Sequence, residues 1–322
     1  FQFHKKETQY TLRLIPLGGY CMMLSEDDEE NENDENSFEK KSIWARMAVV
    51  LAGPAMNFVI AFLFSMVIIH FCGSDPAIIG AVYNKDNIEK YQIENAEEYF
   101  NGVYPAEEAG ISDGDRVLKI EGSTVKNFRE LQIYLQIYGD GSPIDLTLEK
   151  EDGTVYDTTV HPAKTPDGYK IGIMSVGYQL PKNFGELCKY SAYETRYWVK
   201  ATFLSLKLIV TRQVSSDEVS GPVGVAKNMN DTFNEAAKSS VLDLFLNWMN
   251  YIVLLSANLG VMNLLPIPGL DGGRFIFLLI EAVTRKKVPK DKENIVTLIG
   301  FVLVMLLMVV ILFNDIKNVF FH

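Results

Sequence analysis

Residues 47–74 read MAVVLAGPAMNFVIAFLFSMVIIHFCGS, 28 residues between Arg46 and Asp75 without a charge. Two more such runs follow. Residues 244–270 are LFLNWMNYIVLLSANLGVMNLLPIPGL and residues 294–314 are NIVTLIGFVLVMLLMVVILFN. About 20 apolar residues cross the roughly 30 Å of bilayer hydrocarbon, and helices in soluble cores rarely run so long without a charge. The spacing predicts three membrane spans.

The rest of the chain is unlike these runs. The whole protein has 322 residues and a net charge of −11, of which residues 75–243 carry −9. Its average of 48% hydrophobic residues looks ordinary only because apolar spans and a polar insert are averaged together. So acidic a chain is not a nucleic-acid binder. Its three Cys, Cys21, Cys72 and Cys188, make no disulfide framework. Arg274, Arg285, Lys286, Lys287, Lys290 and Lys292 all lie between the last two spans. Short loops rich in Lys and Arg stay in the cytoplasm, so residues 75–243 are expected outside the cell membrane. The run Glu26–Glu35 holds eight acids in ten residues and reads as a solvated loop.

Five segments follow: 1–43, a hairpin and acidic loop; 44–74, the first span; 75–164, a β-rich module; 165–243, a linker with an amphipathic helix; 244–322, two membrane segments. Residues 8–24, TQYTLRLIPLGGYCMML, alternate around Tyr10, Leu12 and Leu14 and turn at Gly18–Gly19. This is either a surface hairpin or one that dips into the membrane. In the module, AIIGAVY, DRVLKIEG, IDLTLEK and TVYDTTV read as strands. NFRELQIYLQIY reads as a helix capped by Asn127. Residues 183–213 read as one helix rich in Tyr, Trp and cations, lying in the membrane interface or packed on the module. SGPVG at 220–224 reads as a turn.

Two sets of polar residues stand inside the spans. Gly53, Pro54 and Asn57 interrupt the first, for close helix packing or for function. Asn263, Pro266, Pro268, Asp271 and Gly272–Gly273 crowd the end of the second. The prolines break the helix there. An ionisable residue at that depth marks a functional site or, more plainly, the membrane edge beside Arg274.

The stretch PAEEAGISDGDRVLKIEGSTVKNFREL resembles PDZ domains, which bind a peptide as an added strand; Ile78–Ala81 is the candidate for its terminus-binding loop. IPLGGY at 15–20, GPAMN at 53–57, SGPVG at 220–224 and NLLPIPGLDGG at 263–273 occur in the order of the site-2 protease family. The chain resembles the bacterial regulator-of-sigma-E protease type along essentially its whole length. That resemblance implies a polytopic α-helical protein of the bacterial inner membrane with an inserted extracytoplasmic β-rich PDZ domain. It also implies cleavage of transmembrane protein substrates, such as anti-sigma factors or remnant signal peptides. The family holds Zn2+ with two His of an H-E-x-x-H helix and the Asp of its L-D-G motif, here Asp271. Asn263 would hold the substrate backbone or an oxyanion. Tyr10, Leu12, Leu14, Gly18 and Gly19 would pair with an extended substrate, with Asn57 and Pro266 beside it. A peptide or substrate segment would bind the PDZ.

One departure is decisive. The four His are His4, His70, His161 and His322, and no two lie four apart. His at i and i+4 share one helix face, which is why the family uses that spacing. The expectation is therefore that both His ligands come from a span upstream of Phe1 and that the chain as written is inactive. A catalytically dead membrane-anchored PDZ scaffold is the alternative. A transporter, which also uses broken helices, would be expected to show an internal repeat, and none is visible.

Overall fold

The computed structural model describes residues 2–5, 8–11, 37–84, 100–211 and 221–321. Strands β1 (Gln2–Lys5) and β2 (Thr8–Thr11) form an antiparallel hairpin with Phe3 opposite Tyr10. Tyr10 thus pairs with the segment before it. Leu12, Leu14, Gly18, Gly19 and the acidic run lie outside the described residues.

Helix α1 (Ile43–Cys72) takes up the first charge-free run and continues through Pro54. Ser42 starts it, its hydroxyl accepting the Ala45 N–H. The β-rich module follows. Strands β3 (Ile79–Val82), β4 (Arg116–Ile120), β5 (Ser123–Thr124), β6 (Ile144–Glu149) and β7 (Val155–Val160) fall on the stretches rich in β-branched residues. Four of them form a sheet in the order β5-β4-β6-β7. Alternate residues of β6, Ile144, Leu146 and Leu148, point into a core with Ile79, Val117, Ile120, Leu131 and Val160. Helix α2 (Phe128–Ile137) covers that core, capped as expected by Asn127, whose side chain accepts the Glu130 N–H at 2.8 Å. Strands β8 (Ala163–Thr165) and β9 (Gly168–Lys170) make a small hairpin. Strand β10 (Ile173–Ser175) pairs with β3, so the strands continue beyond residue 164.

That pairing corrects one expectation. Ile78–Ala81 has no free edge for a peptide. β10 occupies one side of β3, and on the other Ile79 exchanges backbone bonds with Asp115 and Gly114 while the Val82 N–H meets Asp113. An apolar strand looks alike in sequence whichever of its edges is open.

Helix α3 (Phe184–Val210) packs along α1 and also on α2 of the module. Its grip on the module is ionic. Arg129 pairs with Glu194, while Glu130, whose side chain is 1% exposed, receives Arg196 at 3.1 Å and Lys200 at 3.5 Å. Burial pushes the Glu194 carboxyl up from its ordinary value, and the Arg129 guanidinium opposes that shift.

Helix α4 (Pro222–Ser239) begins where a turn was expected. Pro222 is its first residue, a position whose N–H has no helical partner to lose. Helix α5 (Val241–Leu264) packs antiparallel to α1 through Ala61, Val253 and Ala257, all fully buried, with Trp198 of α3 against them. Small residues let the backbones approach closely. Helices α6 (Asp271–Thr284) and α7 (Lys290–Phe321) complete the chain. Ile43–Cys72, Val241–Leu264 and Asp291–Lys317 are long and apolar enough to cross a membrane. The protein is accordingly a membrane protein, mostly helical, with a β-rich insert.

Replacing Glu130 by Ala strands two cations and an amide. It should cost about 1–3 kcal/mol, read as a lowered melting temperature in detergent. Arg116→Ala, which breaks an exposed 3.9 Å pair with Glu149, should stay within about 0.5 kcal/mol of wild type.

Candidate functional site

The second charge-free run does not continue as a helix. α5 ends at Leu264, residues 265–270 are non-helical, and α6 starts at Asp271. The two prolines account for the break, because each lacks an N–H and Pro at a helix interior clashes with the preceding turn. Part of the freed backbone is satisfied locally. Ile267 N–H donates to Leu265 O at 2.7 Å, Leu270 N–H to Ile267 O at 3.1 Å and Gly273 N–H to Leu270 O at 3.0 Å. Gly269 adopts φ +95°, open to glycine and strained for other residues.

Glycines pack around the break. A Cβ on Gly272 would stand 2.2 Å from Leu265 O, and one on Gly273 2.5 Å from Ile267 O. From the other side, a Cβ on Gly300 of α7 would stand 2.1 Å from Pro268 O. The loop is therefore held between the start of α6 and the first third of α7.

Asp271 opens α6, where the positive end of the helix dipole favours a carboxylate. It is half-buried and faces α1: a Cβ on Gly53 would lie 3.4 Å from Asp271 Oδ2. The GPAMN and LDGG motifs thus meet. Asn57 is half-buried one helical turn after Gly53, on the same face of α1. Asn263 is half-buried in the last turn of α5, and Pro266 is exposed in the break. α6 then runs back along α1, with Phe275 and Leu278 against Met47 and Val50 and with Glu281 accepting from Arg46 at 2.5 Å. Gly53 lies ten residues from one end of α1 and 19 from the other, about 15 and 28 Å. Asp271 is thereby placed within the apolar layer and nearer the Arg46 end.

The other expected residues do not all gather here. Tyr10 lies in the β2 strand, and Leu12, Leu14, Gly18 and Gly19 fall outside the described residues. His70 stands 17 residues along α1 from Gly53, about 25 Å away, and is exposed. Among the described residues no group of three His, Cys, Asp or Glu side chains could hold a metal ion. The described residues offer Asp271 alone at the break and by themselves do not fit a zinc site. Gly53 was legible in sequence as part of the GPAMN motif, but its contact with Asp271 was not, since that partner lies 218 positions away.

The profile of peptidase family M50 matches residues 1–307. The chain belongs to peptidase family M50, the site-2 protease family. A Clostridium acetobutylicum protein with a provisional zinc-metalloprotease name is 35% identical over 313 residues, covering 97% of this chain and 83% of that protein. The zinc metalloprotease RasP of Geobacillus kaustophilus is 30% identical, with 99% and 88% covered. The regulator of sigma-W protease RasP of Bacillus subtilis is 27% identical, with 99% and 89% covered. Membership supports an intramembrane zinc metalloprotease.

Gly272→Ala should destabilise the protein by about 1–3 kcal/mol or more, because the added methyl meets backbone that cannot move aside. Gly53→Ala, which makes only an ordinary contact, should cost less than 1 kcal/mol by the same reasoning. Thermal unfolding in detergent of the two variants checks the ranking.

Proposed function

We propose that the chain serves regulated intramembrane proteolysis by a zinc metallopeptidase that cuts the transmembrane segments of single-span proteins. Anti-sigma factors and remnant signal peptides are the substrate class. The supporting observation is the meeting of Asp271 with Gly53 at a helix break within charge-free helices. A carboxylate at that depth is costly unless it does chemistry or binds a partner.

In this reading Asp271 would be one ligand to the zinc, which would supply an acidified water. The chain's own part is to shape the place. The broken segment 265–270 exposes main chain to an incoming peptide. Asn263 hydrogen-bonds the substrate carbonyl from one side of the break. Asn57 and Pro266 border the substrate, and the hairpin residues Tyr10, Leu12, Leu14, Gly18 and Gly19 pair with it as a strand. A helical substrate hides its peptide bonds, so it must be held extended to be cut. Residues 75–243 lie outside the inner membrane, where the module acts as a PDZ that takes a peptide or substrate segment and limits substrate size. Its groove is a cavity of about 640 Å³ lined by Gln132, Leu135 and Gln136 of α2 and by Tyr169, Ile171 and Ile173.

The second reading rests on the absence of a three-donor cluster among the described residues. On it, the protein lacks the His pair and is a catalytically dead, membrane-anchored PDZ scaffold. The two readings separate on metal content and cleavage. Purified alone, the chain should hold no stoichiometric zinc; stoichiometric zinc that is lost in Asp271→Ala would overturn its inactivity. In the protein encoded by the complete reading frame, Asp271→Ala should abolish both zinc and cleavage of a tagged single-span substrate. Asn263→Ala there should reduce cleavage and keep the zinc. Unchanged cleavage in both variants would remove the protease assignment of these residues.

The size-limit reading has its own test. Ser74 and Gln179 exchange two backbone hydrogen bonds, at 2.9 and 2.8 Å, so the module enters and leaves at one point. Excising residues 75–178 and bridging that point should let the complete enzyme cut substrates with large outer domains. An unchanged size limit would refute the filter.

A further inference from the structure

The segment that leaves the module carries an apolar edge that the protein does not cover. Along residues 174–180, Met174, Val176, Tyr178 and Leu180 are 37%, 43%, 64% and 62% exposed. The strand ends at Ser175 and Gly177 turns the chain at φ +86°, so these residues form an exposed apolar run rather than one strand face. Exposure is greatest toward residue 180, where the segment meets the end of α1.

Its depth follows from hydrogen bonds. Gln179 is bonded through both backbone groups to Ser74, two residues past the last residue of α1. A Cβ on Gly73 would stand 2.6 Å from Gln179 O, so the two chains touch. From Arg46, pinned by Glu281 at one end, to Cys72 at the other, α1 rises about 39 Å. A bilayer has about 30 Å of hydrocarbon and about 40–45 Å with its headgroups. Residues 73 and 74, and 178–180 beside them, therefore lie at the level of the headgroups. Phe71, 51% exposed on the last turn of α1, stands at the same level. Tyr is enriched at this depth, and the exposed Lys182 that follows can reach phosphates.

We propose that Tyr178 and Leu180, with Phe71, dock into the boundary between headgroups and acyl chains of the outer leaflet and hold the β-rich module on the bilayer. Net charge does not supply the main attraction, because residues 75–243 carry −9. The anchorage is apolar and insensitive to salt. It rests on the proposed placement of residues 75–243 outside the membrane, but not on the module's binding a peptide or on catalysis.

Single cysteines at Val176, Tyr178, Leu180 and, as a control, Val155 test it, in the full chain with Cys21, Cys72 and Cys188 replaced by Ser. Val155 is 55% exposed on β7, which is not paired with the outgoing segment. Each is spin-labelled in vesicles of phosphatidylcholine and phosphatidylglycerol, and collisions with oxygen are compared with those with a water-soluble nickel chelate. Labels at 178 and 180 should favour oxygen severalfold over the label at 155, at low and high salt alike, with 176 between. Water-like accessibility at 180 would overturn the proposal. Protection that comes with spin–spin broadening and vanishes on dilution in lipid would overturn it in favour of a second copy. Protection seen only after adding a single-span substrate would overturn it in favour of a substrate surface.

Discussion

A polypeptide that stops being helical inside hydrocarbon must satisfy its backbone from within the protein. Much of the architecture follows from that constraint at residues 265–270. The two prolines open the chain, and short turns within the segment use up part of the freed backbone. Gly272 and Gly273 let α6 close against the loop from one side, and Gly300 lets α7 close against it from the other. A side chain at any of these three positions would hold the helices apart and admit lipid to bare carbonyls. The carboxylate of Asp271 is the by-product of this packing. It is the first residue after the interruption, so it points where the helix restarts, at the face of α1 that Gly53 leaves open.

α1 is the common partner of the rest. α3, α5 and α6 all pack on it, and its Cys72 end leads directly into the module. The module is attached twice: through the chain at Ser74 and Gln179, and through α2, whose Arg129 and Glu130 are paired with α3. Since α3 also packs on α1 and α5, with Thr202 donating to Asn258, the module and the spans share one helix as a brace. Burying a carboxylate such as that of Glu130 is costly unless donors surround it, and here there are three: the Lys126 N–H just before α2, and Arg196 and Lys200 of α3.

The sequence was legible where a single segment decides the outcome. Charge-free runs announce spans because lipid excludes charge at every position. PIPG announces a break because proline acts on its own helix. Asn127 announces a helix start because its side chain bonds only three residues ahead. Legibility failed where the deciding partner is remote. Nothing near Gly53 says that Asp271 faces it. Nothing near Ile79 says that both of its edges are taken, by a strand almost 100 residues later and by the loop at Gly114–Asp115. SGPVG looked like a turn because its glycines and proline favour one. It became a helix start because a carboxylate far along the chain accepts its amides.

That carboxylate is Asp315, 2% exposed near the end of α7. It accepts the N–H groups of Gly221, Val223 and Gly224 at 2.8, 2.8 and 2.9 Å. Gly221 has no side chain because Ile311 and Asp315 fill the space beside it. The cap and the helix it caps are thus made at different times. During synthesis the start of α4 emerges some 90 residues before Asp315 does, and three amides of its first turn wait for the last span to enter the membrane. The start of α4 is in this way fixed by a residue near the end of α7, and any truncation before Asp315 would leave these three amides without that acceptor.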